Sequence, residues 1–361
     1  MQKWFQRFIL TINILLALAL LMSYLAKYIS PSLSLVIALS GMAHSYLLTS
    51  FIFMSIVFLF LKNLKWLFFN LSIIILGWSN LQSWVQLNIS SSEKADFRIL
   101  SYNIKLFDLY DWRNNQDHKT AILNFVKQQK PDIVSFQEFY YDNNNHFLLD
   151  SIAISLEMPY YYVIDSRFLR GVSHFGQAIF SKMPIKYSEP IRFPNTSNMS
   201  FFCDIEIKKG QIIRVFNNHL ESYRFQKNDY ELMQDIKEKK TDINKVSGLI
   251  ERLKLALVKR SYQAEKVSSL INASPYPVVV TGDFNDTPNS YTYYQISRYL
   301  SDAFIENGSG FSNTYKGSFP SFRIDYILYG KGLKSTSYQR IKFDVSDHYP
   351  IFADFILDKK D

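Results

Sequence analysis

Six segments with the composition of buried strands each deliver a carboxylate, an amide or an imidazole. Val278, Val279 and Val280 run into Thr281, Gly282, Asp283, Phe284 and Asn285. The β-branched run reads as a strand, and Gly282 lets the backbone turn so that Asp283 and Asn285 leave the sheet edge. Taken alone, this is equally a strand followed by an Asp/Asn turn. Repetition favours chemistry. Asn103 follows Arg98 to Tyr102, Glu138 follows Asp132 to Gln137, and His219 follows Val215 to Asn218. Asp325 lies within Phe322 to Tyr329, and Asp347 with His348 precedes Tyr349 to Phe352. Such groups at strand ends bind metal ions or move protons, and layered α/β proteins gather their ligands at such edges.

Elements that could position these groups follow from hydrophobic spacing. Thr120 to Gln129 has helical periodicity and is ended by Pro131; Phe201 to Ile207 and Ile212 to Asn217 form a hairpin across Lys208 to Gly210. Gly176 to Phe180 and then Pro184 to Tyr187 make another strand and turn. The result is a mixed sheet system with helices outside, in one domain over residues 97–361. Within it, residues 224–270 read as a helical insertion, because Ile243, Val246, Leu249, Ile250, Leu253 and Leu257 recur at helical spacing. Its basic residues Lys237, Lys239, Lys240, Lys254, Lys259 and Arg260 form a solvated face or meet anionic lipid headgroups.

The first ninety residues differ in kind. They hold Lys3, Arg7, Lys27, Lys62 and Lys65 and no acid, Glu93 being the first. A span needs about 20 apolar residues, so three spans are expected, near 8–25, 33–61 and 66–85, as an anchor over residues 1–90. Two further apolar stretches, and no small-residue cleavage site after Leu25, weigh against a signal peptide. The second stretch is also long enough for a half-helix broken near Gly41 and then a full span, with His44 tolerated at the break rather than serving as a ligand. Lys3, Arg7, Lys62 and Lys65 against Lys27 place the C-terminal domain outside the cytoplasm, so the expectation is a multi-pass inner-membrane protein with a periplasmic domain. Residues 91–96 are a polar tether. Of 40 Lys and Arg, the anchor holds these five, leaving 35 against 32 Asp and Glu, a net of +3 where the whole chain has +8. That excludes the footprint of a strong polyanion binder. The single cysteine, Cys203, reads as a small buried hydrophobe.

Phosphoester hydrolysis needs positive charge against the phosphoryl oxygens, a base for the nucleophile and a stabilised leaving oxygen. Hard Mg²⁺ prefers carboxylate and amide oxygens such as Glu138 and Asn103 supply. The six His lack zinc-ligand spacing, and no Walker loop, GxSxG elbow or GxGxxG turn is present.

Ser101-Tyr102-Asn103, Gln137-Glu138, Asn218-His219-Leu220, Gly282-Asp283-Phe284-Asn285, Arg323-Ile324-Asp325-Tyr326-Ile327 and Ser346-Asp347-His348-Tyr349-Pro350 resemble, in order, the six motifs of the endonuclease/exonuclease/phosphatase superfamily. The resemblance spans about Phe97 to Leu357. It implies an α/β fold, a four-layered α/β/β/α sandwich of the deoxyribonuclease type, with the site where the loops of two sheets meet. By motif it implies Glu138 as the principal Mg²⁺ ligand, Asn103 beside it and Asp347 completing the shell, with Mn²⁺ as a substitute metal. Asp283 would orient or deprotonate the attacking water, and Asn285 would hold the phosphate or that water. Asp325 would pair with His348 so that an imidazolium faces the phosphoryl oxygens, and His219 would donate to a non-bridging oxygen. Either Asp283 or His348 is the base. Asp165, Arg167, Arg170 and His174, where relatives bind substrate, read as ordinary loop residues, with Arg170 the best candidate for a phosphate contact.

The expected function is that of a membrane-anchored, Mg²⁺-dependent phosphoesterase acting on a phosphodiester or phosphomonoester, of nuclease or phosphodiesterase type. Its partners would be a phosphoester substrate, either nucleic acid or a phospholipid or inositol phosphate, and a lipid bilayer met through the N-terminal helices; no protein partner is evident. The low net charge argues against a nuclease. The anchor, with Tyr140, Tyr141, Tyr160, Tyr161 and Tyr162, favours a phospholipase C, sphingomyelinase-like or inositol-phosphate phosphatase alternative. An inactive membrane-tethered binding module is the reading from another class, and the filled polar positions count against it.

Overall fold

The computed structural model describes residues 2–88, 93–109, 115–143, 147–223, 243–311, 313–317 and 322–358. Five helices come first: α1 (Gln2–Leu25), α2 (Leu35–Met42), α3 (His44–Phe60), α4 (Leu64–Leu76) and α5 (Trp78–Gln82). They are followed by β1 (Val85–Leu87), β2 (Phe97–Asn103), α6 (Asn115–Gln129), β3 (Ile133–Asp142), α7 (Leu149–Leu156), β4 (Tyr160–Leu169), β5 (Ser173–Ser181), β6 (Ile185–Arg192), β7 (Met199–Lys208) and β8 (Gln211–His219). The remainder is α8 (Ile243–Asn272), β9 (Val278–Asp283), α9 (Tyr291–Ser297), β10 (Ser301–Asp302), α10 (Ala303–Asn307), β11 (Ser309–Phe311), β12 (Asp325–Tyr329), β13 (Leu333–Arg340) and β14 (Ile351–Leu357).

Two six-stranded sheets pack face to face, with orders β13-β14-β2-β3-β5-β4 and β10-β12-β9-β8-β7-β6. The pairs β2 with β3 and β8 with β9 are parallel, and the other pairs are antiparallel. Alternation along each strand assigns its side chains to two layers. Ile99, Ile133, Phe201, Val215, Val279 and Ile327 meet between the sheets. Leu100, Val134 and Phe180 face outward onto Ile122 and Val126 of α6 and Ile152 of α7. Val278 and Val280 face Val267 and Ile271 of α8 and Ile296 of α9. Burial on both faces is why these strands read as continuous apolar runs. The architecture is the expected four-layered α/β/β/α sandwich. Cys203 lies in the inter-sheet core, buried as expected, and burial pushes its thiol pKa well up.

The helical insertion is resolved as α8 from Ile243 onward; residues 224–242, and with them Lys237, Lys239 and Lys240, lie outside the described residues, as do Ser90, Ser91 and Ser92 of the tether. Trp4–Leu25, with mean hydropathy 2.3, is long and apolar enough to cross a membrane, as is the bent pair α2 and α3 taken together. The break falls at Ala43, beside the expected Gly41, and His44 sits there with Nδ1 2.9 Å from Ser23 Oγ. The third stretch is shorter than expected. α4 ends at Leu76, and the residue that follows is glycine where a Cβ would lie 2.2 Å from the Tyr24 ring. Val85–Leu87 is already a strand, paired with β11. β1 and β11 form a separate two-stranded sheet upstream of the expected tether, and the sandwich itself begins at Phe97.

Candidate active site

The side chains of the site leave strand ends, or turns just beyond them, on one edge of the sandwich. Asn103 ends β2, His219 ends β8, Asp283 ends β9 and Asp325 begins β12. Glu138 lies within β3, where the register against β5 shifts between Phe136 and Phe139 and re-aims the side chain. Backbone strain concentrates here. Glu138 has φ 47° and Asn285 φ 54°, and Lys105, Leu106, Phe107 and Asp108, just past Asn103, all lie between 48° and 55°. None is glycine, and non-glycine residues held left-handed cluster where a site needs them. Gly282, at φ 129°, answers a different need: a Cβ there would lie 2.0 Å from the Asn218 carbonyl oxygen, so only glycine lets β9 approach β8 at this point.

Asn103 clamps two carboxylates. Its Nδ2 donates to Asp283 Oδ2 at 3.0 Å and to Glu138 Oε1 at 3.3 Å, while its Oδ1 accepts from the Lys105 N–H at 3.1 Å. Asp283 Oδ1 accepts from the Asn285 N–H at 2.8 Å. His348 Nδ1 lies 2.9 Å from Asp325 Oδ2, and its Nε2 lies 3.7 Å from Asp283 Oδ2. The Asp325 N–H donates to Thr314 Oγ1 at 3.1 Å. His219 Nε2 stands 3.7 Å from Glu138 Oε1 and 3.9 Å from Asp283 Oδ2, buried and with no hydrogen-bond partner. Ser346 Oγ donates to the Asn103 carbonyl at 2.8 Å and so ties the loop bearing Asp347 to β2. Asn285 Nδ2 donates to the Leu220 carbonyl at 3.0 Å.

Electrostatics separates the two candidate bases. Burial raises the Asp283 pKa to about 6; Asp325 adds to the rise and the charges of His348 and His219 oppose it. Burial works against charge on His348, but Asp325 and Asp283 outweigh it and lift the pKa to about 10, so the ring is a cation at neutral pH. Burial lowers the His219 pKa. It raises that of Glu138, and Asp347 raises it further.

Asp283, Asp325 and His348 offer polar atoms within 4.8 Å of one another. Asp325 takes up His348 Nδ1, which leaves Nε2 and the carboxylate oxygens as the atoms this group could offer to a cation or a substrate. Glu138 and Asp347 fit a cation better. They are oxygen donors, and the mutual repulsion that raises Glu138 is what a divalent ion relieves. Asn103 presents N–H rather than oxygen to the carboxylates and holds them together.

A cleft of about 200 Å³ opens over Asp283, Asn285, Asp347 and His348, and a second of about 260 Å³ lies beyond Glu138, which with Ser222 lines both. The structure thus brings Asn103, Glu138, His219, Asp283, Asn285, Asp325, Asp347 and His348 together. Arg170 is not brought in: it is exposed in the turn between β4 and β5, and Arg167 lines the second cavity instead. Asp165 and His174 lie on strands rather than loops and pair at 2.8 Å. Tyr140 is core, and neither it nor its neighbouring tyrosines lines the cleft.

Sequence reasoning missed Arg260, Tyr223, Asp286 and Met42. Arg260 is fully buried, not solvated: it donates to the Glu221 carbonyl at 2.7 Å, lies 3.3 Å from Asp286 Oδ2 and stacks 4.1 Å over Tyr223. A signal existed, because Leu253, Leu257, Arg260, Ala264 and Val267 follow one helical stripe. Asp286 directly follows Asn285 and lines the cleft with Tyr223 and Met42.

Two packed sheets in an α/β sandwich, with carboxylates, amides and a charged imidazole at one edge, define a hydrolase of phosphoester bonds. The model of the Endonuclease/Exonuclease/phosphatase family matches residues 100–348. The chain belongs to that family, whose members are divalent-metal-dependent hydrolases. Residues 6–84 match a second family, described as a domain of unknown function (DUF8431). Among curated proteins none matches. Among solved structures, the human Nocturnin catalytic domain with bound sulfate anion is 18% identical at TM-score 0.54, covering 74% of this chain and 95% of that one. The endonuclease/exonuclease/phosphatase from Bacteroides vulgatus is 18% identical at TM-score 0.53, covering 73% and 99%. That from Beutenbergia cavernae DSM 12333 is 17% identical at TM-score 0.52, covering 73% and 72%. At these identities the likeness establishes the fold.

Proposed function

We propose that the chain is a membrane-anchored, Mg²⁺-dependent phosphoesterase of nuclease or phosphodiesterase type, hydrolysing a phosphodiester or phosphomonoester by attack of water. One observation carries the reading: the buried Asp325–His348 pair aims Nε2 at Asp283 from 3.7 Å, beyond direct hydrogen bonding, beside the Asn103-clamped Glu138. A substrate or solvent oxygen on the cleft side of this pair can hydrogen-bond to both atoms at once.

Each residue then has a role. Asp283, fixed by the N–H groups of Asn285 and Asn103, takes the proton of the attacking water. His348 already carries its proton, so it is not the base; its charge faces the phosphoryl oxygens. His219, whose Nε2 has no other partner, donates to a non-bridging oxygen. Asn285, held by its side-chain bond to Leu220, keeps Oδ1 toward the water or phosphate. Mg²⁺, or Mn²⁺ in its place, would be held by Glu138 and Asp347 with Asn103 beside them and would supply positive charge against the phosphoryl oxygens.

The anchor reading rests on an arrangement inverted from that of a water-soluble bundle. Asn13 and Asn70 exchange side-chain hydrogen bonds at 3.0 and 2.9 Å in the interior, while Leu18, Phe53 and Phe68 face outward. α1 and α4 run in the same direction, since Asn13 meets Asn70 and Tyr24 meets Ile73. Arg7, Lys62 and Lys65 then share one end and Lys27 the other, a charge asymmetry that supports a periplasmic catalytic domain.

Isothermal titration of the detergent-solubilised chain with Mg²⁺ tests the site. Saturable binding is expected, weakened by roughly 10-fold or more in Glu138→Ala. Equal binding by the two proteins would remove Glu138 from the metal site.

A further inference from the structure

The N-terminal helices reach the catalytic cleft itself. The elbow between α2 and α3, bent by 68°, rests on the sandwich beside the site, and Met42 lines the cleft. This contact is specifically built. A Cβ on Gly41 would lie 2.6 Å from the Asn289 carbonyl oxygen, so a side chain there would push the elbow away. Trp84 Nε1 donates to Asn289 Oδ1 at 2.7 Å, and fully buried Arg323, from the fifth motif, donates to the Ser83 carbonyl at 2.9 Å. Tyr223 Oη donates to Met42 Sδ at 3.3 Å.

The wall so formed has a distinct chemistry. Met42, Tyr315, Phe322 and Ile324, packed as one cluster, and Tyr223 line the cleft beside the acids and His348, and among the described lining residues none is Lys or Arg. Among the described residues of this wall, a nucleic-acid strand would find no Lys or Arg for its phosphates. A hydrocarbon chain would find apolar surface continuous with the helical unit: Tyr46 packs edge-on against Phe322, and Leu33 and Val36, beside the elbow, are exposed. Tyr28, Tyr46 and Trp78, exposed at this end near Lys27, are the residues that mark the level where a bilayer meets water.

We infer that the α2–α3 elbow is the substrate-side wall of the active site, and that the substrate is an amphiphile, a phosphoester headgroup carried on hydrocarbon and drawn from the bilayer that holds the helices. This rests on the phosphoesterase reading above and adds the substrate class. The phosphorus reaches Asp283 and His348 while the hydrocarbon passes Met42 and Tyr46. Hydrolysis forms a bond from the water oxygen to phosphorus and breaks one P–O ester bond; one water proton passes to Asp283, and the leaving oxygen takes a proton from solvent and departs as the alcohol.

The test uses the full chain in phosphatidylcholine nanodiscs doped with phosphatidylglycerol, a phosphatidylinositol phosphate and sphingomyelin. Headgroup release with Mg²⁺ is compared with hydrolysis of bis(p-nitrophenyl) phosphate and of single-stranded DNA in solution. At least one lipid should be turned over with kcat/KM about tenfold or more above both soluble substrates. Met42→Asp and Gly41→Val should each lower the lipid rate at least about tenfold more than the soluble-diester rate, with Met42→Leu restoring it. The soluble-diester rate of each variant reports that it is folded. Hydrolysis of the soluble diester or DNA with none of any lipid, or equal losses on both substrates in Met42→Asp, would overturn the inference and spare the phosphoesterase reading. Wild-type protein inert toward every substrate would overturn both.

Discussion

His348 is held at one nitrogen and open at the other, and that division decides what it does. Nδ1 meets Asp325 at 2.9 Å and Nε2 faces Asp283, so the ring is held charged in one orientation. Replacing Asp325 by Asn should therefore lower kcat on the order of 10²-fold or more with little change in KM, because Asp325 touches His348 and not the substrate. Steady-state kinetics on a soluble diester checks this, and a change confined to KM would contradict it. Most site residues were legible in the sequence for a physical reason: water activation and metal binding both call for carboxylates, amides and imidazoles at strand ends, where a short turn aims them. Arg260 was not, although it occupies the apolar stripe of α8. Counting charge along a helix hides which face a residue takes. Arg170 and Arg167 show a similar limit, since strand and turn differ there by three residues.

The elements were legible where burial on both faces wrote itself into composition, as in Val278 to Val280, and less so where packing intervened. Position 77, just past α4, must be glycine because Tyr24 leaves no room for a side chain, a contact between positions more than fifty residues apart. The sheet formed by β2 and β14 makes a testable prediction. Arg98 and Asp354 stand directly opposite across these strands, joined by Nε to Oδ1 at 2.6 Å and a second nitrogen to Oδ2 at 2.9 Å. Burial works against the Asp354 charge, but hydrogen bonds from Arg98 and Ser337 outweigh it and hold the pKa below the usual carboxylate range. A depressed folded pKa contributes stability at pH values above the unfolded pKa of about 3.9, which is lost as pH falls through the folded value. With Arg98 partly exposed and screened, Asp354→Asn should cost about 1 kcal/mol at pH 7, seen as a Tm lower by about 2–4 °C. The difference from wild type should shrink as pH is lowered past that range. A Tm gap that widens in acid would contradict the assignment.

At the scale of the whole molecule, the helical unit and the sandwich share a structural joint. Arg323 donates to Ser83 and Asn289 accepts from Trp84, all four residues being buried, and Trp84 packs with Phe322 and Ile324. None of this was legible, because the sequence presents an apolar block and a mixed block whose contacts lie more than 200 positions apart. Removing residues 1–92 would take the Ser83 acceptor from Arg323, which keeps Asp302, and the Trp84 donor from Asn289, and would bare an apolar patch. The remaining domain should unfold roughly 5–10 °C below the full chain, at a cost of about 1–3 kcal/mol per orphaned group; equal melting temperatures would show the joint to be dispensable. The central claim is that one edge of this sandwich is a divalent-metal-dependent phosphoesterase site built on Asp283. It is tested most directly by hydrolysis of bis(p-nitrophenyl) phosphate by the full chain, with Mg²⁺ and with chelator, in wild type and in Asp283→Asn. Activity with Mg²⁺ should be abolished by chelator, recover on re-adding the metal, and fall roughly 10²–10⁴-fold in Asp283→Asn. Undiminished hydrolysis in chelator, or in Asp283→Asn, would contradict the account.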